Sequence, residues 1–207
     1  MIKSLFTIIC LLSSINASAA DFEVEGICYD IMSLSEFTCR VVRKPDGDYS
    51  GDVVIPAHVN YYGKTLTVVE FHSNLFMNCT ELTGITIPNT INFISASMFD
   101  NCSKLERVKF EDGKTTLKLE AKYSSNNGHY YGLFFHSPLK SLYVGRNLIA
   151  YNGFLPNVVK RVLEELTIGN SVTKIDSWFS GCSGLTSVII SNSVTEIGSS
   201  AFEGCSG

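Results

Sequence analysis

The stretch LTSVIISNSVTEIGSSAFEGC, Leu185 to Cys205, carries a complete structural unit in its spacing. Leu185, Val188 and Ile190 follow the pattern L-x-x-φ-x-φ, where φ is apolar. The alternation at its end is a short strand with one buried face. Ser191-Asn192 then supplies turn formers. Val194 and Ile197 make a second short apolar pair, and a tight turn follows with Phe202 and, three residues on, Cys205.

The same unit recurs along the chain. LTGITIPNTINFISASMFDNC, Leu82 to Cys102, matches it position by position. The triplets Leu82/Ile85/Ile87, Leu105/Val108/Phe110, Leu139/Leu142/Val144 and Leu163/Leu166/Ile168 repeat the strand, and Val53 with Ile55 is a weaker first copy. Ile91, Leu148 and Val172 match Val194, while Ile94, Leu117 and Ile175 match Ile197. Phe76/Cys79, Phe99/Cys102 and Phe179/Cys182 match Phe202/Cys205. The strand anchors Ile87 to Phe110, Val144 to Ile168 and Ile168 to Ile190 are 23, 24 and 22 residues apart. The steps Ile55 to Ile87 and Phe110 to Val144 are 32 and 34, so each holds an insertion. One coil of this kind cannot bury its own apolar face. Stacked coils form a continuous core, which predicts a solenoid with rungs ~4.8 Å apart. The residue before each cysteine is Asn78, Asn101, Gly181 or Gly204. Asn and Gly share a tolerance of positive φ, so a left-handed backbone is expected at all four.

These units resemble the BspA-type leucine-rich repeat of bacterial surface antigens, over about residues 49–207. The resemblance implies a leucine-rich-repeat solenoid, β-rich, with short parallel strands, turns, short helical turns and a ~23-residue repeat. It also implies display outside the cell, a binding role as an adhesin or interaction module, and no enzymatic activity. Residues 111–162 depart from the pattern: no Phe-x-x-Cys pair occurs there and the coil is expanded, with an insertion at about 111–138.

The flanks read differently. Lys3 is the only charge before Asp21, Leu5 to Leu12 is apolar, and Ala17-Ser18-Ala19-Ala20 is a small-residue cleavage signature. Residues 1–20 therefore read as a secretory signal peptide cleaved after Ala19 or Ala20, too short in its apolar run to span a membrane. Residues 21–48 read as an N-terminal β-hairpin cap, with a turn around Ser33 to Ser35 and Ile31 opposite Glu36. That register would place Cys28 opposite Cys39, within reach of a disulfide. YYGKTL around Gly63 reads as a further hairpin. At Gly207 the motif stops just where the next strand would begin, and the expectation is an array cut from a longer one or covered by another subunit.

Composition narrows the function class. The chain has 207 residues, 17% of them charged, and a net charge of −4, which argues against a nucleic-acid binder. Ser, Thr and Asn account for 53 residues, so the polar surface is mostly neutral, as suits strands and turns. His58, His72, His129 and His136 are scattered, and no metal-ligand spacing, nucleophile motif or phosphate loop is present. No catalytic residue, cofactor or metal is expected. The cysteine column reads as stacked buried thiols, because parallel side chains fit poorly with the ~90° disulfide dihedral. Asn78-Cys79-Thr80 and Asn101-Cys102-Ser103 match the N-glycosylation pattern, but the repeat itself generates both.

Two surfaces are candidates for ligand binding. The strand residues pointing away from the core bring Arg107, Lys109, Tyr143 and Glu165 to the centre of one face. The insertion brings Tyr123, Tyr130 and Tyr131, with Asn126-Asn127-Gly128 as its turn; tyrosine offers contact area at low entropic cost. Three functions fit: recognition of a protein, such as a host matrix or surface protein; glycan binding on the aromatic insertion; and a structural spacer.

Overall fold

In a computed structural model, residues 20–124, 129–150 and 154–207 are described, the side chains of 122–124 and 129–131 apart. Residues 1–19 of the predicted leader lie outside the described residues, as does the Asn126-Asn127-Gly128 turn.

The chain enters through a cap. β1 (Phe22–Val24) pairs antiparallel with β2 (Ile27–Ser33) across Glu25-Gly26, both at positive φ. Such a mirror-image turn follows the strand twist. β3 (Thr38–Val42) returns antiparallel to β2. β4 (Gly51–Val54) is laid on the first coil, and β5 (His58–Tyr61) and β6 (Lys64–Phe71) form the hairpin expected around Gly63. β6 pairs parallel with β3, giving the sheet order β1-β2-β3-β6-β5. The sheet curls until its edges meet: the Phe22 ring lies 4.7 Å from that of Tyr61. The cap thus recruits residues 58–71 as well as the 21–48 hairpin. An isolated hairpin is marginal in water, whereas five strands enclose Tyr29, Cys39, Val41, Leu66 and Val68.

The expected Cys28–Cys39 disulfide is not compatible with this register. Cys28 is level with Val42 and Cys39 with Ile31. The turn falls at residues 34–37, and the ladder is irregular between Ile31 and Ser33. The register is therefore three residues from the expected one. Three residues along a strand is about 10 Å, beyond the Cα separation a disulfide tolerates, and an odd offset points the two side chains to opposite faces.

The solenoid follows. Its coils contribute β7 (Leu82–Ile87) and β8 (Phe93–Ile94), then β9 (Arg107–Phe110) and β10 (Leu117–Leu119). The hairpin β11 (Lys122–Ser124) and β12 (His129–Tyr131) intervenes. Next come β13 (Ser141–Arg146), β14 (Leu148–Ala150) and the short helix α1 (Asn157–Val162). β15 (Glu165–Ser171), β16 (Lys174–Ile175), β17 (Ser187–Ile190) and β18 (Glu196–Ile197) complete it. Among the described residues, six strands stack as one parallel sheet in the order β4-β7-β9-β13-β15-β17. Ile87, Phe110, Val144, Ile168 and Ile190 are level across it, the register their spacing predicts.

The second sheet, β8-β10-β14, departs from the expected matching twice: Leu148, matched to Ile91 by its spacing, is level with Leu117, and Leu119, not Leu117, is level with Ile94. The corner after Phe110 is two residues longer than the one after Ile87, so the equivalent position moves on by two. Where β14 would meet β16, a side chain replaces the backbone ladder. Asn147 Oδ1 accepts from the backbone N–H groups of Thr173 (2.9 Å) and Lys174 (3.3 Å), and its Nδ2 donates to Thr173 Oγ1 (2.9 Å).

At the opposite corner the phenylalanines stack. Phe76 and Phe99 are 5.5 Å apart and nearly parallel, and Phe99 and Phe134 are 5.4 Å apart. Phe179 and Phe202 repeat the contact at 5.8 Å. Asn78, Asn101, Gly181 and Gly204 all have positive φ, as expected. The expanded coil, in which no Phe-x-x-Cys was found, has its own version: Phe134 is the phenylalanine, His136 takes the left-handed position at φ 61°, and Ser137 replaces the cysteine. The substitution keeps the hydrogen bond. Ser137 Oγ donates to the Phe99 carbonyl at 2.7 Å, as Cys102 Sγ does to that of Phe76 at 3.0 Å and Cys205 Sγ to that of Phe179 at 3.3 Å. The column therefore requires a small donor, and Ser137→Cys is expected to leave stability unchanged. Ser137→Ala leaves the Phe99 carbonyl with only the longer bond from the Cys102 backbone N–H (3.4 Å) and is expected to cost about 0.5–1.5 kcal/mol in urea denaturation. Cys79, Cys102, Cys182 and Cys205 are thiols, and burial pushes Cys102 and Cys182 up to about 12.

Candidate functional site: the outer face of the parallel ladder

The parallel register sets the outward side chains in rows. One row is Val54, Thr86, Lys109, Tyr143, Thr167 and Ile189; the other is Asp52, Gly84, Arg107, Ser141, Glu165 and Ser187. Arg107, Lys109, Tyr143 and Glu165 therefore share one face on three consecutive rungs. Arg107 reaches across glycine: its Nη2 lies 2.8 Å from both Asp52 carboxylate oxygens, and a Cβ on the intervening Gly84 would meet Asp52 Oδ1. Beside this run the pairs Glu81–Lys104 (2.7 Å) and Glu106–Lys140 (2.8 Å). These pairs are exposed, so each adds little to stability, but together they neutralise much of the face.

Tyr143 is half-buried and held at both ends. Lys109 Nζ stands 5.3 Å from its ring centroid, and its hydroxyl donates to Asp112 Oδ2 at 2.6 Å. Asp112 Oδ1 accepts the backbone N–H of Asn170 at 2.8 Å, so one carboxylate ties three successive coils together. Gly169 leaves the room, since a Cβ there would sit 2.4 Å from the Tyr143 hydroxyl oxygen. Asp112 was not among the sequence candidates. Its signal was faint: an Asp-Gly turn after the strand, in line with Gly145 and Gly169 at the same corner of later coils.

Burial first, and then the Asp112 carboxylate, push the Tyr143 hydroxyl up to about 12 from its usual 10.0. A folded-state value above the unfolded one means that the neutral phenol stabilises the fold. That contribution is complete below about pH 10 and is lost as pH rises towards 12. Tyr143→Phe is expected to be less stable than the native chain at pH 8. The gap should shrink between pH 10 and 12 in parallel denaturation curves.

Arg146 is fully buried one corner further on. Its Nη1 donates to the Asn89 carbonyl at 2.8 Å and its Nη2 to the Pro88 carbonyl at 3.1 Å, two rungs away. In the insertion, the β11–β12 hairpin sets Tyr123 opposite Tyr130 and Tyr131 opposite Lys122, while Phe134 lies in the core stack. Among the described residues, no group of three or more His, Cys, Asp or Glu could hold a metal ion. Among them, too, no helix is long and apolar enough to cross a membrane.

A strand-rich parallel solenoid with an alternating turn column and an open sheet face is a leucine-rich-repeat architecture. The family model described as the BspA type leucine rich repeat region matches six copies, over residues 62–129 and 158–207, and the chain belongs to that family. The search of curated proteins finds no match. Among solved structures, a leucine-rich repeat protein from Bacteroides ovatus is 17% identical with a TM-score of 0.46, covering 89% of this chain and 80% of that one. A T. pallidum leucine-rich repeat protein is 18% identical with a TM-score of 0.48, covering 87% and 86%. A leucine rich cell surface protein from Faecalibacterium prausnitzii is 20% identical with a TM-score of 0.40, covering 89% and 52%.

Proposed function

We propose that the chain is an exported, surface-displayed or secreted binding module, not an enzyme, that recognises a protein such as a host matrix or surface protein. The observation that carries this reading is the ladder face. Arg107, Lys109, Tyr143 and Glu165 stand together on a rigid scaffold, and solenoids bind on extended faces of this kind. The β11–β12 hairpin, which carries Tyr123, Tyr130 and Tyr131, is the second contact surface of this proposal. The leader at residues 1–20 supports export. The test is a binding screen of the folded chain against purified matrix proteins and polysaccharides. Saturable binding to a protein, lost when residues 120–132 are replaced by a short turn, supports this reading. A polysaccharide hit lost in the same variant moves the assignment to glycan binding, and silence across the panel moves it to a spacer.

A further inference from the structure

The β17 rung is built like the other rungs of the ladder but is covered on one side only. Among the described residues, β17 stands at the edge of the six-stranded parallel sheet. Ser187 and Ser191 donate their backbone N–H groups to the Glu164 and Ile168 carbonyls, on the β15 side. Alternation along the strand turns the N–H and C=O groups of Val188 and Ile190 the other way, out from the edge of the sheet.

The side chains add a second observation. Val188 and Ile190 belong to the inner apolar columns, yet they are 42% and 39% exposed, whereas Leu166 and Ile168, level with them on β15, are both 1% exposed. In the same coil Ile197 is 54% exposed and the Phe202 ring is only partly buried. An open strand edge, an inner apolar column and a phenylalanine face together are the surface that each interior coil presents to its neighbour. The opposite end of the array is closed. There Tyr49, Ile55, Leu75 and Phe76 are buried beneath the cap and the first coil.

From these features we infer that the β17–β18 coil docks on the same coil of a second copy of this chain, making a closed two-fold dimer. Continuity with the coil-to-coil interface selects the occupant. Within the described array, surfaces of this composition are covered by a coil of the same repeat, and a second copy presents such a coil. Because the cap closes one end, copies joined head to tail have no second open surface, and the two open ends meet each other. The two-fold sets β17 antiparallel to its counterpart, with Ile189 on the axis and level with itself. Val188 then stands opposite the counterpart of Ile190, and the pair exchanges both N–H···O bonds, as does its symmetry mate. The outward backbone groups of both residues are thereby satisfied. The inner apolar columns continue across the joint, and Ile197 and Phe202 are brought towards their counterparts. Both outer faces fall on one side of the joined sheet, so Lys109 and Glu165 of the two copies face the same way.

The test is sedimentation velocity of residues 20–207 over a wide range of concentration, with two variants. Val188→Pro removes an outward N–H, which an unpaired edge tolerates and a paired strand does not. Ile190→Lys places a charge on the half-exposed column at the joint. The native chain is expected to sediment as a dimer that dissociates on dilution. Each variant, still folded, is expected to raise the dimer dissociation constant about tenfold or more. Ile189→Cys reads the register. Residues level with each other in a non-hydrogen-bonded antiparallel pair have Cα atoms about 4.5 Å apart, within reach of a disulfide. Mild oxidation should therefore link the Ile189→Cys chains in pairs and leave Thr167→Cys chains, altered one rung further in, unlinked. A native chain that stays monomeric at the highest concentration reached overturns the proposal. So do variants as dimeric as the native chain, an open series of larger oligomers, or a dimer that Ile189→Cys fails to link. None of these readings depends on ligand binding at Lys109 and Glu165, so the two surfaces fail separately.

Discussion

Phe99→Ala is expected to destabilise the protein by about 3–5 kcal/mol, the cost of removing a fully buried aromatic ring that leaves a cavity. Phe99 is the middle of three stacked rings, with Phe76 on one side and Phe134 on the other, and it is fully buried. In a solenoid each coil touches only its neighbours, so losing the central ring weakens two interfaces at once. The effect should appear in urea denaturation as a lower midpoint, with a shallower slope if the coils on either side begin to unfold separately. Phe93 is the internal control. It lies one strand away in the same coil but is 52% exposed, and Phe93→Ala should stay within about 0.5 kcal/mol.

Gly145→Ala is expected to cost about 3 kcal/mol or more, at the upper end for an overpacked site. The added Cβ would stand 2.4 Å from the Asp112 nitrogen and 2.5 Å from both the Glu111 carbonyl carbon and the Phe110 carbonyl oxygen. All three are backbone atoms of the adjacent rung, so no side chain can rotate aside. Relief requires the two rungs to separate, which would strain the Asp112–Tyr143 and Asp112–Asn170 hydrogen bonds at the same corner. A thermal melt of the single variant checks it, and a Tm equal to that of the native chain would mean that the rungs are not packed as described.

The repeat was legible because its apolar positions recur at fixed spacing, and burial demands that recurrence. The strand register from Ile55 to Ile190 could be written from the sequence, and so could the left-handed turns at Asn78 and Gly181. What the sequence concealed lies where one chemistry replaces another. Ser137 and His136 do the work of a cysteine and an asparagine, which hid the turn of the expanded coil, although Phe134 kept its place. The Cys28–Cys39 pairing failed because hairpin register depends on turn length, and the turn lies at residues 34–37 with an irregularity in β2. The ladder-face residues were legible from alternation alone. Asp112 was not, because its partners Tyr143 and Asn170 are 31 and 58 residues away and meet it only through the stacking of coils.

The measurement that bears most directly on the recognition face is the affinity of the ligand found in the matrix-protein screen for the double variant Lys109→Glu with Glu165→Lys. Both side chains are exposed, and reversing them preserves the net charge. Binding weakened about tenfold or more, equivalent to about 1.4 kcal/mol, in a variant that still unfolds cooperatively well above the assay temperature, is the result the ladder-face reading predicts. Affinity equal to that of the native chain would contradict it and remove the outer face of the ladder from the binding site.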